Sequence, residues 1–351
     1  MLLLKWSYET INMPDNSTWS FDTIWNKSLE EPQNRETIAR DYLWASELGK
    51  PYLDVYMRMN GVEPTNPPNP RSLRKFEAGN LWESIVEVIL TRAGIMQASQ
   101  ERVEYTFEGM LRVSGKIDFI AGGKIDQAQS LEYVSQLSLP ENTLKAIDRI
   151  IDYLATNYPN GLEKRALEVK SVSSHMMNAI EKTERALKIH RLQAYHYTKH
   201  PDIDRADIVY ICRDDCRMKS IPVLGEHPAI EAEYRDWIET MSGYYLRKEE
   251  PPKASPITFD EDQGKFALER AIGWSPYLTL CYGFQDQMEF EDKYGKIPAS
   301  WNRVLTRIKS GQSMTANNLE KIEEMKQWGF DAYTLAEKLV DSADEDETHD
   351  S

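Results

Sequence analysis

Asp118, Glu168 and Lys170 are the residues of this chain whose types and spacing could do chemistry. Glu168 and Lys170 stand two apart in Ala166-Leu167-Glu168-Val169-Lys170-Ser171-Val172, so in an extended strand their side chains leave the same face. Asp118 lies in a second apolar stretch, Arg112–Ile120, where it closes Gly115-Lys116-Ile117-Asp118. If the two stretches pair as neighbours, Asp118 and Glu168 project toward a common point. Two close carboxylates suppress each other's ionisation unless a cation sits between them. Hard oxygen ligands select Mg²⁺ or Mn²⁺, and an adjacent ammonium would steer or help polarise a water. That is a hydrolytic phosphodiester site in outline.

Glu-x-Lys also occurs at Glu291/Lys293 and Glu324/Lys326, in segments that read as polar helix or loop with solvated charges. The copy at Glu168 differs because an unpaired acid and amine are costly to bury in an apolar strand. An ordinary buried ion pair is the structural alternative for Asp118, Glu168 and Lys170.

The elements that must position these residues follow from hydrophobic period and turn chemistry. Thr37–Met59 reads as a helix pair broken near Gly49-Lys50-Pro51, and the proline-rich Glu63–Pro70 as a loop. A helix from about Ser72 to Leu90 carries Gly79, Glu83 and Glu87, with apolar positions at the 3.6 period. Glu83 on its own could equally be an exposed helix acid. Glu101–Phe107 and Arg112–Ile120 form a hairpin about Glu108-Gly109-Met110. Asn142–Tyr158 is an amphipathic helix inserted between the two loaded strands. One long helix is expected over 176–200, where Lys182, Arg185, Lys188, Arg191 and Lys199 outnumber Glu181 and Glu184, and His190, Gln193 and Tyr197 share a face. Its cations are either phosphate contacts or a solvated face. Ile208–Cys212 and Lys219–Val223 are further strands, Ala229–Leu246 a helix, and 253–340 mostly helical.

Composition bounds the class. With 351 residues, 41% hydrophobic, the chain can bury a sizeable core. It has no apolar run of membrane-span length, and Met1–Leu4 is too short for a signal peptide, so a soluble cytoplasmic protein is expected. Three cysteines, Cys212, Cys216 and Cys281, make no disulfide pattern; the first two are expected to be partly buried thiols. The net charge of -15 argues against whole-surface nucleic-acid binding. Part of that excess sits in Asp341–Ser351, which has no Lys or Arg and is expected to be disordered, with a possible protein partner. No phosphate-binding glycine loop, repeat or zinc-type spacing occurs.

Taken in order, Gly79-x-x-x-Glu83, Gly115-x-x-Asp118, Glu168-x-Lys170 and Gln193-x-x-x-Tyr197 resemble the PD-(D/E)XK nuclease superfamily. The Gln-x-x-x-Tyr element narrows the likeness to its RecB-like, phage-type exonuclease branch. It covers about residues 71–250. Many RecB-like members carry a His where this chain has Glu83, a departure that leaves acid ligation of a metal open. The resemblance implies an α/β fold: a mixed central β-sheet flanked by helices, restriction-endonuclease-like, with a helical insertion at 121–165. Outside it the chain's own pattern leaves an N-terminal helical and irregular region over 1–70, a helical extension over 251–340 and an acidic tail over 341–351. Asp118, Glu168 and Glu83 with the Val169 carbonyl would bind Mg²⁺ or Mn²⁺, and Lys170 would position the attacking water. Gln193 and Tyr197, with His190, Arg185, Lys188 and Arg191, would orient the site or contact DNA.

Some relatives hold an iron–sulfur cluster on four cysteines. The corresponding places here, Gly49-Lys50-Pro51 and Trp274-Ser275-Pro276-Tyr277, lack cysteine and leave Cys281 alone, so no cluster is expected. The expected activity is a metal-dependent exonuclease working on linear or single-stranded DNA ends in recombination, repair or phage DNA processing. The rivals are a structure- or sequence-selective endonuclease and a catalytically silent DNA-binding or scaffold protein.

Overall fold

The computed structural model describes residues 38–125, 141–260 and 264–339, with Leu29, Ala128 and Glu132 as isolated positions. Expectations for Met1–Leu4, for most of the N-terminal region, for part of the insertion and for the acidic tail lie outside the described residues.

A six-stranded mixed sheet carries the fold, flanked by helices on both faces as expected. Its strands are β1 (Tyr42–Trp44), β2 (Met96–Tyr105), β3 (Arg112–Gly123), β4 (Leu162–Val172), β5 (Arg205–Cys212) and β6 (Met218–Leu224). The spatial order is β1-β3-β4-β5-β6, with β2 also on β3. β4 and β5 run parallel, and β5 is almost wholly buried, as a central strand covered on both faces must be. Pro222 sits in β6, an edge strand, where a missing N–H costs no ladder bond.

Helices α1 (Tyr52–Met59) and α2 (Pro70–Arg92) precede the β2–β3 hairpin. α2 starts where Asn69 accepts the Ser72 N–H at 2.9 Å and Pro70 occupies the first turn. It lays Val86 and Leu90 on one sheet face, against Phe119, Val169, Val209 and Ile211. The inserted helix α3 (Glu141–Asn157) follows β3, and α4 (Ser174–Thr183) and α5 (Lys188–Tyr197) follow β4. With α6 (Pro228–Arg247) these last two cover the opposite face, where Met177, Leu192, Tyr195, Tyr234 and Trp237 join the main core.

Four expectations need correction. The segment after position 37 is not a helix pair: Tyr42–Trp44 is a strand and Ala45–Glu47 a 3₁₀ turn, because β3 offers Arg112–Ser114 as a parallel partner. The helix over 176–200 is two helices, ended by Glu184 in the left-handed region at φ 55° and resumed at Lys188. β3 and β4 extend farther than expected, so the insertion is shorter than 121–165. Residues 253–340 are mostly helical and also include a hairpin, β7 (Ile257–Asp260) with β8 (Lys265–Leu268), before α7 (Arg270–Gly273), α8 (Gln287–Tyr294), α9 (Ile297–Lys309), α10 (Ala316–Gln327) and α11 (Ala332–Glu337). Phe266 and Trp301, with centroids 4.9 Å apart, join this hairpin to α9. Cys212 is buried, but Cys216 is exposed on the β5–β6 turn. No helix among the described residues is long and apolar enough to cross a membrane.

Candidate active site

A strand has two edges. β2 occupies one edge of β3 almost throughout, from Tyr105 opposite Val113 to Met96 opposite Ala121. β1 and β4 therefore share the other edge. β1 takes Arg112–Ser114 and β4 takes Phe119–Gly123, which leaves Gly115–Asp118 in a fork between them. The β3–β4 ladder stops at Phe119 opposite Leu167. Immediately past that point the Asp118 carboxylate, rather than a backbone carbonyl, accepts the Val169 N–H at 2.9 Å. N–H and C=O of one extended residue point to the same edge, so the Val169 carbonyl also faces the fork.

Glu168 is buried and holds two contacts through one oxygen. Its Oε1 pairs with the Lys170 ammonium and accepts Gln193 Nε2 at 2.7 Å. The same Gln193 nitrogen reaches the Tyr197 hydroxyl at 2.8 Å, so the i, i+4 pair on α5 acts as one clamp. Glu168 Oε2 is buried and meets no donor among the described residues. A buried carboxylate oxygen in that condition is expensive, and a cation is the partner that would satisfy it.

The electrostatics agree. Burial first, then the Glu168 charge, pushes Asp118 up to about 8, against the partial relief of Lys170. Glu83, half-buried on α2, is raised by burial and by Glu168, which places it in the same field. Burial works against the Lys170 charge, but Glu168, Asp118 and Glu83 outweigh it and keep the ammonium above the ordinary lysine value. Tyr197, buried beside these acids, is held as a phenol. Among the described residues no group of three His, Cys, Asp or Glu side chains stands close enough to form a ready metal cage.

Gly115 explains why the motifs travel together. A Cβ there would lie 2.9 Å from Ala45 Cβ and from His196 Cδ2, and 3.0 Å from Tyr197 Cε1. The missing side chain lets α5 lie across the fork. At Gly79 a Cβ would meet nothing within 4 Å, so packing gives that motif glycine no reason.

The remaining expected contact residues are dispersed. His190 Nδ1 lies 3.0 Å from the Tyr210 hydroxyl, and burial drives its basicity down to about 3, so the ring is neutral. Lys188 and Arg191 both pair with Glu233 on α6, at 2.9 and 2.7 Å, on a different side of α5 from the Gln193 clamp. Arg185 is exposed on the turn between α4 and α5. A lysine that the sequence did not single out, Lys50, enters the neighbourhood: its charge and that of Lys170 are felt by one another and by His190.

The chain that follows Gly49-Lys50-Pro51 packs against the Trp274-Ser275-Pro276-Tyr277 segment. Leu53 on α1 packs with Tyr277 and Cys281, and Tyr277 donates to the Val62 carbonyl at 2.9 Å. Asn66 donates its N–H to the Pro276 carbonyl at 2.9 Å and accepts the Thr279 N–H at 2.8 Å. Side-chain and backbone bonds thus staple the segments, and burial pushes the Cys281 thiol up to about 11.

No protein-family model matches the sequence, and no curated protein matches it. Among solved structures the chain is similar to the protein SSO0001, at 13% identity, covering 63% of this chain and 87% of that one, TM-score 0.38. It is also similar to an alkaline exonuclease from Laribacter hongkongensis, at 10% identity, 64% and 96% coverage, TM-score 0.31. A phage-related exonuclease from Haemophilus somnus follows at 11% identity, 59% and 94% coverage, TM-score 0.28.

Proposed function

We propose that the chain is a metal-dependent deoxyribonuclease that hydrolyses phosphodiester bonds from DNA ends. The observation that supports this reading best is the fork itself. Two acids from neighbouring strands converge where the ladder opens, one with a buried oxygen that meets no donor among the described residues and the other with its acidity suppressed by burial and by the first. That donor set fits a divalent cation. Asp118, Glu168, Glu83 and the Val169 carbonyl are the groups that would hold it. A bound Mg²⁺ or Mn²⁺ would ease ionisation of a water and stabilise charge developing on the phosphoryl oxygens.

The chain's own residues supply the rest. Gln193 and Tyr197 fix the direction of the Glu168 carboxylate. Lys170 presents a permanently charged ammonium at the same carboxylate, where it orients a water and meets the phosphate. We propose with this reading the division into a nuclease core over 71–250, flanked by the N-terminal region, the C-terminal extension and the acidic tail.

A catalytically silent DNA-binding protein is the second reading. It is favoured by the internal pairing of Glu168 with Lys170 and by the lack of a three-residue metal group among the described residues. End-labelled linear duplex, single-stranded and covalently closed circular DNA, incubated with Mg²⁺, Mn²⁺ or EDTA beside Lys170→Ala, separates the cases. The exonuclease reading expects metal-dependent loss of linear DNA, circles spared, and an inert variant. Nicked or linearised circles would replace it with an endonuclease; no cleavage by folded protein would leave the silent binder.

A further inference from the structure

Beside the fork lies a pair of hydrogen-bond donors that find no acceptor among the described residues. The 3₁₀ turn after β1 runs into Gly49, whose backbone is in the left-handed region at φ 80°. A Cβ there would stand 3.3 Å from Ile189 Cγ2 and from Leu192 Cδ1, so this turn rests directly on α5. The contact brings Lys50, the next residue, near enough to α5 for its charge to be felt by His190.

Lys50 makes neither a salt bridge nor a side-chain hydrogen bond among the described residues. Burial is the chief influence on its ammonium and lowers its basicity; Arg58 and Lys170 add to this, and Glu47 and Asp54 oppose it without closing an ion pair. His190 supplies the second donor. The Tyr210 oxygen accepts the Leu187 N–H at 3.2 Å, and its hydroxyl proton is then best placed on His190 Nδ1 at 3.0 Å. That assigns the imidazole proton to Nε2, away from Tyr210. Both side chains keep part of their surface in solvent. A largely buried cation with no closed ion pair among the described residues, near a neutral N–H donor, costs stability while it stays empty.

We propose that Lys50 and His190 form an anion subsite that holds a phosphate group of the nucleic-acid strand beside Lys170. The class of ligand rests on the hydrolase reading above; the anion site does not. The phosphate is either an internal diester or a terminal monoester, both offering oxygens to the same two donors.

The test uses the full chain in EDTA, so that nothing depends on turnover. Inorganic phosphate is titrated against thermal unfolding of wild type, Lys50→Met and Lys50→Arg. Phosphate is expected to raise the wild-type Tm and the Lys50→Arg Tm, and to leave Lys50→Met unmoved. Ligand-free Lys50→Met is expected to unfold at or above the wild-type temperature, because an uncompensated cation has been removed. A merely structural lysine would give the opposite, and a phosphate response that survives in Lys50→Met overturns the subsite.

DNA oligonucleotides with a phosphorylated or a hydroxyl end then identify the source, again in EDTA. Lys50→Met is expected to weaken binding by roughly tenfold. Loss confined to the phosphorylated end means a terminal phosphate, and equal loss on both means an internal one. Unchanged affinity for both sinks the proposal, even in a protein that cleaves DNA. A protein that never cleaves but passes these measurements keeps the subsite and loses only the hydrolase reading.

Discussion

Gln193 Nε2 stands 2.7 Å from Glu168 Oε1 and 2.8 Å from the Tyr197 hydroxyl, so one amide nitrogen ties a helix to the acid of a strand. The geometry makes Gln193 a positioning residue for Glu168. Gln193→Ala should therefore leave the fold intact and lower cleavage about 10- to 100-fold, the usual cost of losing an orienting partner. Tyr197→Phe removes the hydroxyl that accepts from Gln193 and also lies beside Glu168, and should cost less. Steady-state rates with circular dichroism as a folding control check both. Equal activity for Gln193→Ala and wild type would mean that the clamp orients nothing.

Gly115→Ala tests whether the helix needs the missing side chain. The new methyl would crowd Ala45, His196 and Tyr197 at once, two of them fixed on α5. Overpacking of this kind costs about 1–3 kcal/mol. Urea unfolding should show that loss. A lowered cleavage rate at temperatures where the variant is still folded would show that α5 has shifted.

Glu233 pairs with both Lys188 and Arg191, the two cations of α5 expected at a DNA backbone. Glu233→Gln should release them. DNA binding in EDTA should tighten, and the dependence of log K on log salt should steepen by about one to two units. A slope identical to wild type would place α5's cations away from the bound strand.

His196 gives the pH dependence a definite sign. Its ring is fully buried between the Tyr234 hydroxyl at 2.9 Å and the Val103 carbonyl at 3.1 Å, and burial lowers its basicity to about 4. The unfolded chain takes up a proton near its ordinary value, about 6.5. Stability is therefore full above that value and falls as pH drops from about 6.5 toward 4, by up to about 3 kcal/mol. Asp54 works in the opposite direction: burial raises it to about 6, so its cost is present above that pH and fades below it. Urea midpoints for wild type and Asp54→Asn at pH 5 and 8 separate the two. Asp54→Asn should gain more stability at pH 8 than at pH 5; a larger gain at pH 5 would reverse the assigned sign.

Sequence patterning made the sheet legible where side chains alternate without ambiguity. β3 and β4 were readable for that reason; β5 was readable as a short continuous apolar run, and α2 by its 3.6-residue period and Asn-Pro start. β1 was hidden because three residues carry too little period to tell strand from helix, and its existence depends on an edge of β3. The break between α4 and α5 was hidden because Glu184, not glycine, adopts the left-handed conformation. Asp118, Glu168 and Lys170 were legible as chemistry in apolar strands. The pairing of Lys188 and Arg191 with Glu233, and the approach of Lys50 to His190, arise between elements distant in sequence and leave no local pattern.

The sharing of one β3 edge by β1 and β4 also has a meaning in time. β2 and β3 form a local hairpin, which needs only a short loop closure and microsecond-scale search. β1 leaves the ribosome long before its three-residue partner on β3, and β4 arrives after the inserted helix. Both must find an edge that the hairpin has already made. The fork is thus among the last contacts to form. Substitutions in it are expected to quicken unfolding while leaving the folding rate almost untouched.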